Sequence, residues 1–210
     1  MSQRLFAVGD IHGHVSALNR LLSVLEKEAK LSPDDILLFL GDYVDRGPDS
    51  LGVIERLRTL QLQRPSTVYL LGNHDSWQSV RTLPREAVQW LRSLPQHYEW
   101  GRYFFSHAPV YRFPPAQDWA AKNLRDFEPI ESFRDAVERG YDFLNSYQGF
   151  SAEDLLHEPG RIGVCGHVHH PEVVIYPDHY LGVDSGCGFG GKLSAISLPD
   201  HRVWSVRENE

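Results

Sequence analysis

Hydrophobic residues in the first third of the chain form three short continuous runs, with segments of helical spacing between them. The runs cover residues 5–8, 36–40 and 68–71. In the intervening segments apolar residues recur at every third or fourth position, which predicts amphipathic helices. These residues are Val15, Leu18, Leu22 and Leu25, then Leu51, Ile54, Leu57 and Leu60. Continuous apolar strands that alternate with helices predict a parallel sheet in an α/β fold.

The rest of the chain continues the mixture of strands and helices. Residues 84–94 and 133–144 show helical spacing, residues 97–100 and 103–106 predict a hairpin, and residues 112–130 predict a long loop. Short strands are expected at 161–165, 173–176, 180–184, 193–198 and 202–206. The chain shows no repeat and no linker, so we interpret residues 1–210 as a single domain.

A polar cluster follows each of the predicted strands in the first half of the chain, and similar clusters follow two later strands. The clusters cover residues 9–13, 41–47, 72–75, 106–109 and 166–170. Because ligands bind beyond the carboxyl ends of strands in open α/β sheets, we expect the clusters to converge. Their Asp, Asn and His side chains are typical ligands of divalent metals, and a carboxylate such as Asp42 can bridge two ions. Cys165 is the one thiol beside them, which argues against a structural cysteine zinc site.

The amino-acid composition limits the classes of partner that the protein is expected to bind. Hydrophobic residues make up 41% of the 210 positions, enough to build a core. With 21 basic and 28 acidic residues the net charge is −7, which disfavours binding to nucleic acid backbones. The apolar run at 5–8 is too short for a signal peptide or a membrane span. We therefore expect a cytoplasmic protein that binds neither nucleic acid nor membrane.

Taken in order, the clusters resemble the motifs of calcineurin-like metallophosphoesterases. They read GDIHG at 9–13, GDYVDRG at 41–47, GNHD at 72–75, SHAP at 106–109 and GHVHH at 166–170. More narrowly, the chain is similar to the phosphoprotein phosphatase family and its small bacterial and phage members. It also includes the stretch from Asp184 to Leu193. It implies a sandwich of central β-sheets flanked by helices, and a two-metal hydrolase.

The resemblance also implies roles for individual residues. Asp10 and His12 would hold one metal, and Asp42 would bridge both. The second metal would be held by Asn73, His107 and His167. His74 would protonate the leaving oxygen, Asp45 would position His74, and Arg46 would clamp phosphate oxygens. The expected cofactors are two divalent ions, with manganese first and iron or zinc as alternatives, which would activate a hydroxide.

The chain departs from the phosphoprotein phosphatase pattern in three places. Asp75 stands where those phosphatases usually have Glu. GHVHH replaces their usual Gly-His-Thr and makes His169 an additional candidate metal ligand, as in the wider superfamily. The family's second phosphate-binding arginine has no clear match, and the candidates are Arg112, Arg125 and Arg134.

Three functions are compatible with these motifs. GDYVDRG favours a serine/threonine protein phosphatase, with dual specificity as a variant, and we rank this interpretation first. GNHD and GHVH favour the alternative, a dinucleoside polyphosphate hydrolase of the diadenosine tetraphosphate type, or a phosphodiesterase. The substrate would accordingly be a phosphoprotein or a phosphorylated small molecule. A scaffold protein without activity is third, because it would not need both His74 and Asp45.

Overall fold

The computed structural model describes residues 3–76, 78–112, 129–145 and 151–208, with only the backbone of residues 78 and 79. Most of the predicted loop at 112–130, including Arg125, lies outside these residues. No helix in the described ranges is long and apolar enough to cross a lipid bilayer.

Ten strands and four α-helices are found in the described residues. The strands are β1 Leu5–Val8, β2 Ile36–Phe39, β3 Val68–Tyr69, β4 His97–Trp100, β5 Tyr103–Ser106, β6 Ile162–Cys165, β7 Val174–Tyr176, β8 Tyr180–Gly182, β9 Leu193–Leu198 and β10 Val203–Val206. The helices are α1 Val15–Lys27, α2 Ser50–Gln63, α3 Arg85–Arg92 and α4 Phe133–Glu138.

The strands form two mixed five-stranded sheets flanked by helices, which confirms the predicted fold class. The first sheet has the order β10-β9-β1-β2-β3, and the second has the order β4-β5-β6-β8-β7. As predicted, β1 pairs with β2 and β2 with β3 in parallel, while β4 and β5 form an antiparallel hairpin. In the second sheet β5, β6 and β8 are parallel. Each sheet therefore contains three adjacent parallel strands, whose carboxyl ends lie on the same side of that sheet.

The continuous apolar runs follow from burial on both faces of the first sheet. On β1, Leu5 and Ala7 belong to the apolar layer between the two sheets. Phe6 and Val8 belong to the layer that the first sheet shares with α1, α2 and α3. All four side chains are fully buried, so no polar residue can alternate with them.

The predicted helix at 133–144 is wrong in its second half. The helix α4 ends at Glu138, and Gly140 adopts a φ of 67°, a left-handed conformation that ends helices. Tyr141 and Phe143 are nevertheless buried, and they pack with Phe104 on the outer face of the second sheet. The helical spacing of apolar residues there reflects burial of a turn against the sheet.

Candidate active site

Asp42 lies at the centre of the polar clusters, between two groups of potential metal ligands in the described chain. One group is His12, Asp42 and His74, and the other is Asp42, His107 and His167. The Oδ2 atom of Asp42 is 3.4 Å from His12 Nε2, and its Oδ1 atom is 3.4 Å from His107 Nε2. The two oxygens of one carboxylate thus face two histidines, the arrangement that a bridging ligand requires.

Backbone carbonyl groups fix the tautomers of two of these histidines. His12 Nδ1 lies 3.0 Å from the Val44 carbonyl oxygen, and His107 Nδ1 lies 2.8 Å from that of Leu40. A carbonyl oxygen only accepts, so Nδ1 carries the proton in both rings. Burial lowers the pKa of His12 to about 3 and that of His107 to about 4, so both rings are neutral. Each Nε2 atom therefore presents a lone pair to Asp42, as a metal ligand does.

The second group also contains Asn73. Its Oδ1 atom is 2.9 Å from His107 Nε2 and 3.1 Å from His167 Nδ1. Burial is the main reason that the pKa of His167 falls to about 3. Since His107 Nε2 has no proton, its lone pair faces the lone pairs of the Asn73 oxygen, and a cation between them would relieve the repulsion. Two imidazoles, an amide oxygen and a carboxylate therefore fit a divalent ion of the Mn, Fe or Zn type.

Asp10 is buried beside this group but lies outside both sets. Its carboxylate accepts a hydrogen bond from the His167 backbone N–H, at 3.2 and 3.1 Å to its two oxygens. A Cβ atom at Gly166 would lie 2.1 Å from Asp10 Oδ1, so only glycine allows this approach. Burial raises the pKa of Asp10 well above its ordinary value, and repulsion from Asp184 and Asp42 raises it further. Its role as a metal ligand stays a prediction.

His74 lies in contact with Asp42, Asp45 and Arg46. The His74 backbone N–H donates to Asp42 Oδ1 at 2.9 Å, which places the ring beside that carboxylate. His74 Nδ1 is 2.7 Å from Asp45 Oδ2, and this hydrogen bond is the main reason that the pKa of Asp45 is lowered. His74 Nε2 lies 3.2 Å from Arg46 Nη2. The three predicted residues are therefore in contact, with Nε2 directed to the guanidinium.

The backbone of the site is strained at five of the predicted residues. Left-handed φ angles between 48° and 75° occur at His12, Asp42, Asp45, Arg46 and His167. Such conformations cost on the order of 1–3 kcal/mol for residues other than glycine and concentrate at functional sites. The loops are therefore shaped to direct these side chains at some expense of stability.

Asp75 has a role that the sequence did not reveal. Its buried carboxylate accepts hydrogen bonds from the backbone N–H groups of Asp42 and Tyr43, both at 2.8 Å, and of Gly72 at 2.9 Å. It thereby anchors the loop that carries Asp42. Burial, followed by repulsion from Asp42, raises the pKa of Asp75 to about 8. The GNHD motif shows that an acid is present, but the motif gives no sign of these partners.

The remaining candidates lie in other surroundings. His169 is exposed, its ring stacks on Phe189 with centroids 4.3 Å apart, and it lies outside the two ligand groups. Its ligand role stays a prediction. Arg134 is 86% exposed and pairs with Glu138 on α4, whereas Arg112 lines a cavity of about 530 Å³.

Comparison with known proteins identifies the family. The sequence model of the calcineurin-like phosphoesterase family matches residues 3–182. The chain belongs to this family. It is therefore a metallophosphoesterase, a hydrolase of a binuclear metal-dependent family, as the motifs and the ligand groups predict.

Relatives of this metallophosphoesterase differ in how much of the chain they match. A symmetrical bis(5'-nucleosyl)-tetraphosphatase of Janthinobacterium sp. (strain Marseille) is 26% identical over 96% of this chain and 95% of its own length. A candidate serine/threonine-protein phosphatase of Caenorhabditis elegans is 40% identical, but over 33% of this chain and 18% of its own length. A solved structure described as a candidate diadenosine tetraphosphatase has a TM-score of 0.66, with 23% identity over 99% of this chain and 94% of the other. Among the sequence relatives, the tetraphosphatase match spans almost the full length of both chains, whereas the protein phosphatase match spans one third of this chain.

Proposed function

We propose that this metallophosphoesterase hydrolyses dinucleoside polyphosphates at a phosphoanhydride bond. The observation that carries the proposal is the match to a tetraphosphatase along almost the full length of both chains. The sequence match to the candidate serine/threonine-protein phosphatase of Caenorhabditis elegans extends over one third of this chain.

The metal ligands in this proposal come from both sheets. They are Asp10, His12, Asp42, Asn73, His107 and His167, with His169 as a further candidate. The expected cofactors are two divalent ions, with manganese first. When bound, such ions lower the pKa of a water molecule and neutralise charge on phosphoryl oxygens.

The chain's own side chains supply the remaining steps. Arg46 binds phosphoryl oxygens through its planar array of N–H groups. Asp45 accepts the Nδ1–H of His74 at 2.7 Å, which orients the ring. His74 then gives the proton on Nε2 to the leaving oxygen.

A serine/threonine phosphatase is the second candidate, and the His74–Asp45 pair is the observation that favours it. A serine alkoxide is a poor leaving group and depends on a proton donor, whereas a nucleoside phosphate leaves with less help. The pair is intact and lies directly beside Arg46. The substrate would then be a phosphoprotein.

A substrate panel tests the two proposals against each other. The manganese-loaded protein would be assayed with diadenosine tetraphosphate, a phosphoserine peptide, p-nitrophenyl phosphate and bis-p-nitrophenyl phosphate. We expect the highest kcat/KM for diadenosine tetraphosphate, and its nucleotide products would identify the cleaved bond. A higher kcat/KM for the phosphopeptide would replace the first proposal with the second. Metal analysis should give two ions per chain, and one ion or fewer would contradict the binuclear site.

A further inference from the structure

A short glycine-rich turn after β8 places an exposed aromatic ring at the site. The turn is the 3-10 helix Cys187–Phe189, and Phe189 is 55% exposed. Single exposed apolar residues are common on proteins and require no explanation by themselves. The contacts of this ring, however, are with two residues of the other active-site loops.

Phe189 joins two loops that the chain order keeps far apart. The Arg46 guanidinium carbon lies 4.2 Å from the centre of the Phe189 ring. The His169 ring lies 4.3 Å from it, with the planes 28° apart. Arg46 follows β2 in the first sheet, and His169 follows β6 in the second. We call these three residues the Arg46–Phe189–His169 stack.

The backbone of the turn is packed tightly against Arg46 and His12. A Cβ atom at Gly188 would lie 2.5 Å from the His12 ring and 2.8 Å from Arg46 Cδ. Gly190, on the other side of Phe189, has a φ of 80° that favours glycine. The Phe189 ring therefore reaches Arg46 because the glycines before and after it allow the turn to approach the site.

The chemistry of the stack suits an arginine that must bind phosphate. In the described part of the chain the guanidinium contacts His74 Nε2 at 3.2 Å and the face of the Phe189 ring. A carboxylate partner would occupy the N–H groups that phosphate needs, and Asp45 is bonded to His74 instead. A phenyl ring contacts the flat face of the guanidinium by a cation–π interaction and leaves its edge free. The ring also restricts a side chain that otherwise loses much rotamer entropy on binding.

We propose that Phe189 is a positioning residue that holds the Arg46 guanidinium in its phosphate-binding orientation, with His169 supporting the ring from the second sheet. This inference rests on the proposed role of Arg46 as the phosphate clamp. It assigns a function to an exposed residue that the sequence motifs did not single out.

A double-mutant cycle with inorganic phosphate as the probe tests the inference. The dissociation constant of phosphate is measured by titration calorimetry on the manganese-loaded protein, with its metal content determined in parallel. The variants are Phe189→Leu, Phe189→Tyr, Arg46→Ala and the double variant Phe189→Leu with Arg46→Ala. Trp204→Leu is the matched control, because it removes a ring under Arg202 on the edge strand β10, where the guanidinium lies 5.3 Å from the ring.

The expected result is a weakening by Phe189→Leu that depends on Arg46. Phe189→Leu should raise the phosphate dissociation constant about two- to fivefold, the strength of a cation–π contact at an exposed site. Phe189→Tyr and Trp204→Leu should retain the original affinity, and the metal content should stay unchanged. In the Arg46→Ala background, Phe189→Leu should have no further effect.

Other results overturn the inference in distinguishable ways. Unchanged affinity in Phe189→Leu, together with weaker binding in Arg46→Ala, would refute the positioning role but leave the phosphate clamp in place. The same conclusion holds if Phe189→Leu weakens binding equally with and without Arg46. Unchanged affinity in Arg46→Ala would instead refute the proposed clamp itself.

Discussion

Replacing Asp75 with asparagine is the sharpest test of how the bridging carboxylate is held. Asp75 Oδ2 accepts the N–H groups of Asp42 and Gly72, and Oδ1 accepts that of Tyr43. Asparagine has a single acceptor oxygen. If that oxygen takes the Oδ2 position, two bonds survive, and the amide NH₂ group then faces the buried N–H of Tyr43.

The size of the effect follows from these hydrogen bonds. A bond to a charged group contributes about 1.5–3 kcal/mol, and a buried donor without a partner costs about 1–3 kcal/mol. Both figures describe loss of the same Tyr43 bond and are not added, so we expect Asp75→Asn to lower the free energy of unfolding of the manganese-loaded protein by about 1.5–3 kcal/mol. For a chain of this length the Tm should fall by about 3–12 °C. The loss should be smaller without metal, since repulsion between Asp75 and Asp42 is also removed.

Thermal and urea unfolding with and without manganese measure the effect, and a manganese titration measures the affinity of the site. Asp35→Asn is the matched control. Asp35 is also a buried carboxylate that accepts backbone N–H groups, from Arg4 and Ser32, but it lies outside the metal-ligand groups. Both variants should lose stability, and only Asp75→Asn should lose manganese affinity. Unchanged stability and affinity in Asp75→Asn would show that these hydrogen bonds do not hold the loop.

Three further predictions concern the proton donor, the bridging carboxylate and the uncertain ligand. His74→Asn should lower kcat by roughly 10²- to 10⁴-fold for a phosphoserine peptide and by less for p-nitrophenyl phosphate. Equal losses for both substrates would exclude a proton-donor role. Burial raises the pKa of Asp42 to about 7, so manganese must displace its proton at lower pH. Below pH 7 manganese affinity should therefore fall by about tenfold per pH unit for each proton displaced, and a flat profile in calorimetry would contradict this. If His169 is a metal ligand, His169→Ala should shift the manganese dependence of activity. An unshifted curve would exclude the ligand role and leave the stacking contact with Phe189 as the function of His169.

The fold was largely predictable because its hydrophobic pattern depends on simple burial. Helices and a second sheet cover the two faces of β1 and β2, so their apolar residues run continuously. The same reasoning failed at Tyr141 and Phe143, which are buried without being helical. A spacing of three or four residues shows which side chains are buried but not the backbone conformation that buries them. Gly140 permits a left-handed turn, and this turn buries Tyr141 and Phe143 outside a helix.

The site was predictable where a residue type alone indicates chemistry, and not where a role depends on distant contacts. Asp42, His107 and His167 were expected as ligands, and they converge in the structure. Asp75 was noted as a departure from a motif, but its partners lie 32 and 33 residues earlier in the chain. Phe189 lies in the stretch from Asp184 to Leu193 that belongs to the family resemblance, but an exposed ring between glycines has no periodic pattern that would indicate its contacts.

The ligand groups draw on both ends of the chain, and this gives bound metal a mechanical effect. His167 contacts Asp10 across 157 residues and Asn73 across 94 residues. Ions held among these side chains would connect the two sheets as a reversible cross-link that closes very long loops. Such closure removes conformational freedom from partly opened states, as a disulfide does, but it can be undone by a chelator. Separation of the sheets and release of the ions would then become a single cooperative event.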